Sequence, residues 1–297
     1  MWQPLYLDRA AVECARAGRP LEIKAAGLWC YGDLRGLSLP CVAIVGTRAA
    51  TAYGRAIATR LAADLGRAGC CVVSGLALGI DAAAHEGALA AGAPTVGILG
   101  GGHRCFFPRR NRTLAERVVG GGGAILSPYP PDHPAAPHQF LQRNGIVAAL
   151  ADAVVVVEAP ARSGALNTAG WAAGRIPVLA VPGDVDRKHV QGCLALIRDG
   201  ATLARGAEDV LEALGHAPAA PLTTRATSPR DDASATVLCA IEGGASTLDE
   251  IVNAGKLEAA AALAALSVLE LEGIVEPRGG LQYARVGAAS DGEDARR

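Results

Sequence analysis

From residue 41 onward the chain alternates short, nearly continuous apolar runs with longer amphipathic stretches. The runs are CVAIVG (41–46), CVVSG (71–75), TVGILG (95–100), AILS (124–127), AVVVVEA (153–159), PVLAVPG (177–183) and ATLA (201–204). Their length and Val/Ile content predict strands buried on both faces. Between them, TAYGRAIATRLAADLGRAG and SGALNTAGWAAGR read as helices ending in Gly or a basic residue, as helix C-termini favour. Strand and helix in alternation predict an α/β fold: an extended Rossmann-like, doubly wound, mostly parallel sheet with right-handed crossovers.

Residues 1–40 read as a short N-terminal extension, a helical start followed by LEIKAAGLWCYGDL, an apolar strand suited to the edge of the main sheet. The Rossmann-like domain spans 41–215. HAPAAPLTTRATSPRDD (216–232) lacks apolar periodicity and reads as a linker. Beyond it, SATVLCAIE, TLDEIVNAG and KLEAAAALAALSVLELEG predict three helices, and GIVEPRGGLQYARV predicts two short strands around Arg-Gly-Gly. That order is a small C-terminal winged-helix domain over 233–286, with a polar, mobile tail at 287–297.

Composition narrows the class. The chain has 297 residues, 51% of them hydrophobic and 19% charged, enough for a sizeable core. No stretch approaches the roughly 18 apolar residues of a membrane span, and the start carries acids without an apolar h-region, so a cytoplasmic protein without membrane contact is expected. The eight cysteines, at 14, 30, 41, 70, 71, 105, 193 and 239, form no Cys-x-x-Cys and have no His at metal spacing. They read as buried apolar residues and free thiols, with neither metal nor cofactor expected. Net charge is −1, but residues 41–216 hold 16 Lys+Arg against 13 Asp+Glu while 217–297 hold 7 against 12. Any nucleic acid should therefore meet the first part.

Ligands of open parallel sheets bind beyond the carboxyl ends of the strands. The residues there are Gly46, Thr47 and Arg48; Ser74 and Gly75; Gly100, Gly101 and Gly102; Ser127 and Pro128; Ser163 and Gly164; and Pro182 and Gly183. Small residues at so many strand ends let backbone N–H groups approach an anion, or else only make tight turns. Arg48 favours the anion, since a guanidinium at a pocket lip holds phosphate bidentately. A nicotinamide enzyme is rejected: Gly46-Thr47-Arg48 is not Gly-x-Gly-x-x-Gly, and the second strand ends in Ser74-Gly75 where a ribose-binding acid belongs.

Six long segments stand out together: VAIVGTRAATAYG (42–54), VVSGLALGIDAAAHEGAL (72–89), GGG with FFPRRN (100–111), FLQRNGIVAAL (140–150), VVVEAPARSGALNTAGWA (155–172) and VLAVPGDV with GCLALIRDGA (178–201). In this order they resemble the DNA-processing protein A family, also called Smf. The resemblance implies a homodimer that binds single-stranded DNA and loads a RecA-type recombinase during natural transformation. It places Arg48 in a basic pocket with Phe140, Arg143 and Asn144 nearby, and suggests CLALIRDGA (193–201) for the dimer surface. Arginine supplies sequence-blind phosphate contacts, and Phe140 is either a base-stacking face or a core residue. The chain departs from the family's Arg-Asn-Arg: it has Arg143-Asn144-Gly145, one cation fewer. Arg104, Arg109, Arg110 and Arg112 either compensate or form a solvated loop.

Two other readings are weighed. Asp81 and His85 share a helix face but lack a third catalytic partner, so Asp81 is expected to cap its helix and His85 to pack. Glu158, ending the fifth run, points at the glycine-rich edge and supports a nucleotide-binding or phosphoribohydrolase-like enzyme. The Lonely Guy phosphoribohydrolases carry Pro-Gly-Gly-x-Gly-Thr-x-x-Glu, whereas APARSGALNTAG (159–170) has neither the Gly-Gly pair nor the Glu. A winged-helix regulator is the second alternative, but KLEAAAALAALSVLELEG presents Lys256 among Glu258, Glu270 and Glu272, which phosphates repel. That helix is expected to dock on protein, and the chain to be a non-enzymatic mediator with no catalytic residue.

Overall fold

In the apolar runs, successive side chains alternate between two faces that are both dry, and helices have to cover each face. The computed structural model describes residues 2–215, 232–271, 274–278 and 282–285, and the chain divides into two compact units, 1–221 and 222–297. The first unit runs β1 (Leu5–Asp8), α1 (Arg9–Ala15), β2 (Gly27–Gly32), β3 (Cys41–Val45), α2 (Ala52–Arg67), β4 (Cys71–Ser74), α3 (Ile80–Ala90), β5 (Thr95–Ile98) and α4 (Arg112–Gly120). It continues with β6 (Ala124–Ser127), α5 (Pro137–Leu150), β7 (Ala153–Val156), α6 (Gly164–Ala172), β8 (Val178–Ala180), α7 (Gln191–Arg198), β9 (Thr202–Leu203) and α8 (Ala207–Ala213).

These strands form one sheet in the order β1-β2-β6-β5-β4-β3-β7-β8-β9. From β6 to β9 every pairing is parallel, while β1 and β2 join antiparallel at one edge. The chain leaves β3 first toward one edge and later returns to β7 on its other side. Val42 pairs with Ala153 and Val45 with Val156, so β3 and β7 end level. The crevice beyond those two ends is the topological switch point.

Alternate residues supply the two cores. Ala43, Val45, Val73, Ile98 and Val154 face α1, α5, α6 and α7, burying Val12, Val147, Leu150 and Ala169. Val42, Ile44, Val72 and Val155 face α2, α3 and α8, burying Leu61, Leu65, Ile80 and Val210. Trp2, Leu114, Val118 and Ile125 close the same side near α4.

The N-terminal segment joins the sheet edge through β2, but a strand precedes its helix where a helical start is predicted. LYLD lies on the outer edge with Leu5 and Tyr6 exposed, so no apolar pattern marks it. All eight cysteines are free, and Cys30, Cys41, Cys70, Cys71 and Cys193 are buried. No single described helix is long and apolar enough to cross a membrane.

The second unit contains α9 (Asp232–Glu242), α10 (Leu248–Gly255), α11 (Ala259–Leu271) and the antiparallel pair β10 (Val275–Arg278) and β11 (Gln282–Arg285). Val237, Ile251, Leu266 and Leu269 form its core. Thr247 and Glu250 make a capping box at α10: Glu250 N–H donates to the Thr247 hydroxyl at 3.3 Å, and Thr247 N–H to the Glu250 carboxylate at 3.0 Å. This is a winged helix. Of the predicted linker 216–232 only Asp232 is described, and it belongs to α9; residues 216–231, Glu272, the Gly-Gly at 279–280 and the tail at 287–297 lie outside the described residues.

Candidate functional site

A cleft of about 530 Å³ opens beyond the ends of β3 and β7. Its walls are the β3–α2 loop with Gly46, Thr47 and Arg48, the β4 end with Gly75, the inner face of α5 with Phe140, Arg143 and Asn144, and the α6 N-terminus with Ser163 and Gly164. Ser74, Gly100, Gly101 and Gly102 do not line it. Ser74 is buried and donates its hydroxyl to Ile44 O at 2.7 Å. Gly100 is a floor for Phe140: a Cβ there would stand 2.7 Å from the ring's Cδ1. Gly101 abuts Ala135, and Gly102 N–H donates to His133 O at 2.8 Å.

Three of the backbone donors near the strand ends, at Thr51, Gly75 and Ala77, are taken by two buried carboxylates. Asp81 accepts from Gly75 N–H at 3.1 Å and Ala77 N–H at 3.4 Å. Its helix is capped by Gly79, so Asp81 secures the β4–α3 loop and does not serve as the N-cap. Burial pushes its carboxyl up, opposed by Arg143 and the amides. Glu158 accepts from Thr51 N–H at 3.0 Å and the Thr51 hydroxyl at 2.6 Å, while its own carbonyl takes Thr47 N–H at 2.7 Å. It thus occupies the positive end of α2, where a free phosphate would otherwise be drawn. Gly54 makes this possible, because any Cβ there would overlap the Glu158 carboxyl group. The amides of Thr51, Gly75 and Ala77 are thus engaged within the protein, and the exposed Arg48 guanidinium adds open positive charge at the lip.

Arg48 is exposed at the lip with its guanidinium carbon 5.5 Å from the Phe140 ring centre. Phe140 is half-buried, so part of its ring stays open. Arg143 lies 5.9 Å from the same ring, yet is 3% exposed. Its Nη1 donates to Gly75 O and, at 2.6 Å, to Ile98 O. Burial lowers its pKa to about 10, helped by Arg48 and opposed by Asp81. Arg143 therefore braces the cleft wall, clamping two strand ends to α5. Asn144 donates from Nδ2 to Gly164 O at 3.0 Å, tying α5 to α6.

Two contributors escaped the sequence reading. Arg162 is exposed on the cleft wall immediately before Ser163-Gly164. The strand-end rule reaches it once the β7–α6 loop is read in full. Phe107, 51% exposed, meets Phe140 edge-on with centroids 5.7 Å apart, and an adjoining hollow of about 310 Å³ opens between them and Arg48. None of Arg104, Arg109, Arg110 and Arg112 lines the cleft. Arg104 pairs with Asp132 at 3.3 Å; Arg112 pairs with Glu116 at 3.3 Å and lies over Trp2 at 5.1 Å; Arg109 and Arg110 face solvent.

His85 is fully buried, with Nδ1 2.7 Å from the Thr95 hydroxyl. That hydroxyl donates to Val72 O at 2.8 Å, so Nδ1 carries the proton and donates. Burial lowers the His85 pKa to about 3. Among the described residues no group of three or more His, Cys, Asp or Glu is placed to hold a metal ion. On α11 the outward residues include Ala260, Leu263, Ala264, Ser267 and Val268, with no cation among them.

Residues 19–215 match the family model of DNA recombination-mediator protein A, and residues 221–280 match the DprA winged helix domain. A DNA processing protein DprA of Mycobacterium tuberculosis is 42% identical over 288 residues, spanning 94% of this chain and 73% of that protein. The X-ray structure of DNA processing protein A from Streptococcus pneumoniae aligns with a TM-score of 0.60 at 36% identity, covering 63% of this chain and 66% of that one. A structure of DNA processing protein A from Helicobacter pylori, described for its single-stranded DNA binding mode, aligns with a TM-score of 0.62 at 28% identity, covering 72% of this chain and 96% of that one.

Proposed function

Because the chain belongs to the DNA recombination-mediator protein A family, we propose that it binds single-stranded DNA in the switch-point cleft and mediates recombination without catalysing a reaction. The observation that carries this reading is the exposed Arg48 guanidinium beside the partly open Phe140 ring at the cleft mouth. A cation next to an aromatic face suits a strand whose phosphates and bases alternate, and neither contact depends on sequence. Arg162 supplies a second exposed cation on the opposite wall.

The use of the carboxylates supports the non-catalytic reading. Asp81 and Glu158 are both buried and occupied by donors of the protein itself, so neither is free to act as a base. Appreciable release of adenine from AMP would overturn this part.

On this reading two copies pair, with the α7 segment 193–201 contributing to the contact, and two clefts raise avidity for one long strand. The bound strand is then handed to a RecA-type recombinase during natural transformation. The deciding experiment measures oligo-dT and duplex binding across a salt series for wild type and Arg48→Ala. Preference for oligo-dT, with Arg48→Ala weaker and its salt slope reduced by about 0.7, is expected. Equal affinity for both DNAs, or an Arg48→Ala protein indistinguishable from wild type, overturns the proposal.

A further inference from the structure

The two helices that wall the cleft also carry an open aromatic ring. Asn144 faces the cleft, but its neighbour Gly145 meets Trp171: a Cβ on Gly145 would stand 3.2 Å from the indole Cε2 and 3.3 Å from Cδ2. The ring therefore lies against bare α5 backbone. It is 42% exposed, whereas Trp2 is 7% exposed and Trp29 is half-buried. Seven helical steps along α6, about 10 Å, separate Trp171 from Gly164 at the cleft wall. Hollows of about 570 Å³ and 360 Å³ open to either side of it. Arg19 and Arg175 border the first and Lys24 and Tyr129 the second. The nearby carboxylates are engaged, Asp152 by Arg19 and Glu22 by Arg175 at 2.5 Å.

We propose that Trp171 is a second base-stacking platform: a single strand entering at Arg48 and Phe140 runs along the α5–α6 seam and lays a base on the indole. The inference rests on the cleft being the single-stranded DNA site. Its physical basis is the juxtaposition of an open indole, room on both sides of it and the exposed Lys24 in the second hollow, the combination that holds single strands without regard to sequence. Gly145 stands where the resemblance expects a cation, and its bare backbone admits the ring. The position exchanges a phosphate contact for a stacking one. Lys24 lies in the second hollow, where it meets phosphates of the continuing strand.

The test compares the full chain with Trp171→Ala, Trp171→Phe and Arg48→Ala on short oligo-dT of about 4 nucleotides and long oligo-dT of about 16. Trp171→Ala is expected to weaken the long oligomer roughly five- to a hundredfold and leave the short one unchanged. Trp171→Phe restores most of the loss, and quenching of indole emission by the long oligomer, present in wild type, is reduced in Trp171→Phe although it still binds. Equal long-oligomer affinity of wild type and Trp171→Ala, with Arg48→Ala weakened on both lengths, overturns the platform and spares the cleft; a protein partner then becomes the occupant of the indole. Loss in Trp171→Ala with Arg48→Ala unaffected overturns the cleft reading, and with it the continuous track.

Discussion

Arg48 and Phe140 form one unit, with the guanidinium carbon 5.5 Å from the ring centre at the mouth of the cleft. Each orients the other, so if both meet DNA as proposed their contributions should couple. In a double-mutant cycle on oligo-dT affinity, Phe140→Ala is expected to lose about 1–3 kcal/mol. The double variant should lose less than the sum of the singles. Strict additivity would mean that the two act at separate subsites.

Arg143 is expected to behave differently from Arg48. Its guanidinium is buried and holds the carbonyls of Gly75 and Ile98. Arg143→Leu strands those acceptors at a cost of about 1–3 kcal/mol each. Urea denaturation should show a clear drop in midpoint, while Arg48→Ala, on the surface, should leave the midpoint in place. A stable Arg143→Leu protein with weakened DNA binding would make Arg143 a direct contact.

Gly54 and Glu158 set a steric condition on α2. A methyl at position 54 overlaps the buried carboxyl group and forces α2 away from β7. Gly54→Ala should destabilise the fold by about 1–3 kcal/mol, although Ala is the better helix former. Pairing it with Glu158→Ala, which removes the obstructing carboxyl group, should recover part of the difference in thermal melts.

Acid sensitivity should trace to His85. Its pKa falls to about 3 on folding from the ordinary 6.5, because burial disfavours the cation. The unfolded chain therefore binds the proton first, and the stability is complete above pH 6.5. It declines as pH drops toward 3, at up to about 1.4 kcal/mol per pH unit. Asp81, whose carboxyl is raised by burial, acts in the opposite sense as it takes up its proton. Denaturation midpoints of wild type and His85→Gln between pH 7 and 4 check the slope, which should flatten in the variant.

The winged helix should add nothing to duplex affinity. The outward side of α11 carries Ala260, Leu263, Ala264, Ser267 and Val268 where a groove-reading helix needs donors and cations. Duplex titration of the chain ended after residue 215 and of the full chain should coincide. Tighter binding by the full chain would assign a DNA role to the second unit.

The sequence by itself determined the sheet and its two-sided burial, because runs such as CVAIVG and AVVVV have no polar side to present to water. It also pointed to the carboxyl ends of the strands and to Arg48, and the family resemblance brought in Phe140 and Asn144, but which strand ends form the cleft followed only from the strand order in the fold. The edge strand β1 was illegible because an exposed strand needs no apolar pattern. Only tertiary structure decided which groups remain available for a ligand. Ser74 and Gly75 look like phosphate ligands in a list of strand ends, yet Ile44 O takes the Ser74 hydroxyl and Asp81 takes the Gly75 amide. Arg143 reads as a DNA cation, and the fold buries it in the cleft wall with Nη1 on two carbonyls, while Gly145 reads as a loss but admits Trp171. Hydrogen-bond partners and steric room come from residues far apart in the chain, and burial alone enforces those choices. Local pattern carries the fold, whereas the use of each polar group is settled by whatever the fold brings beside it.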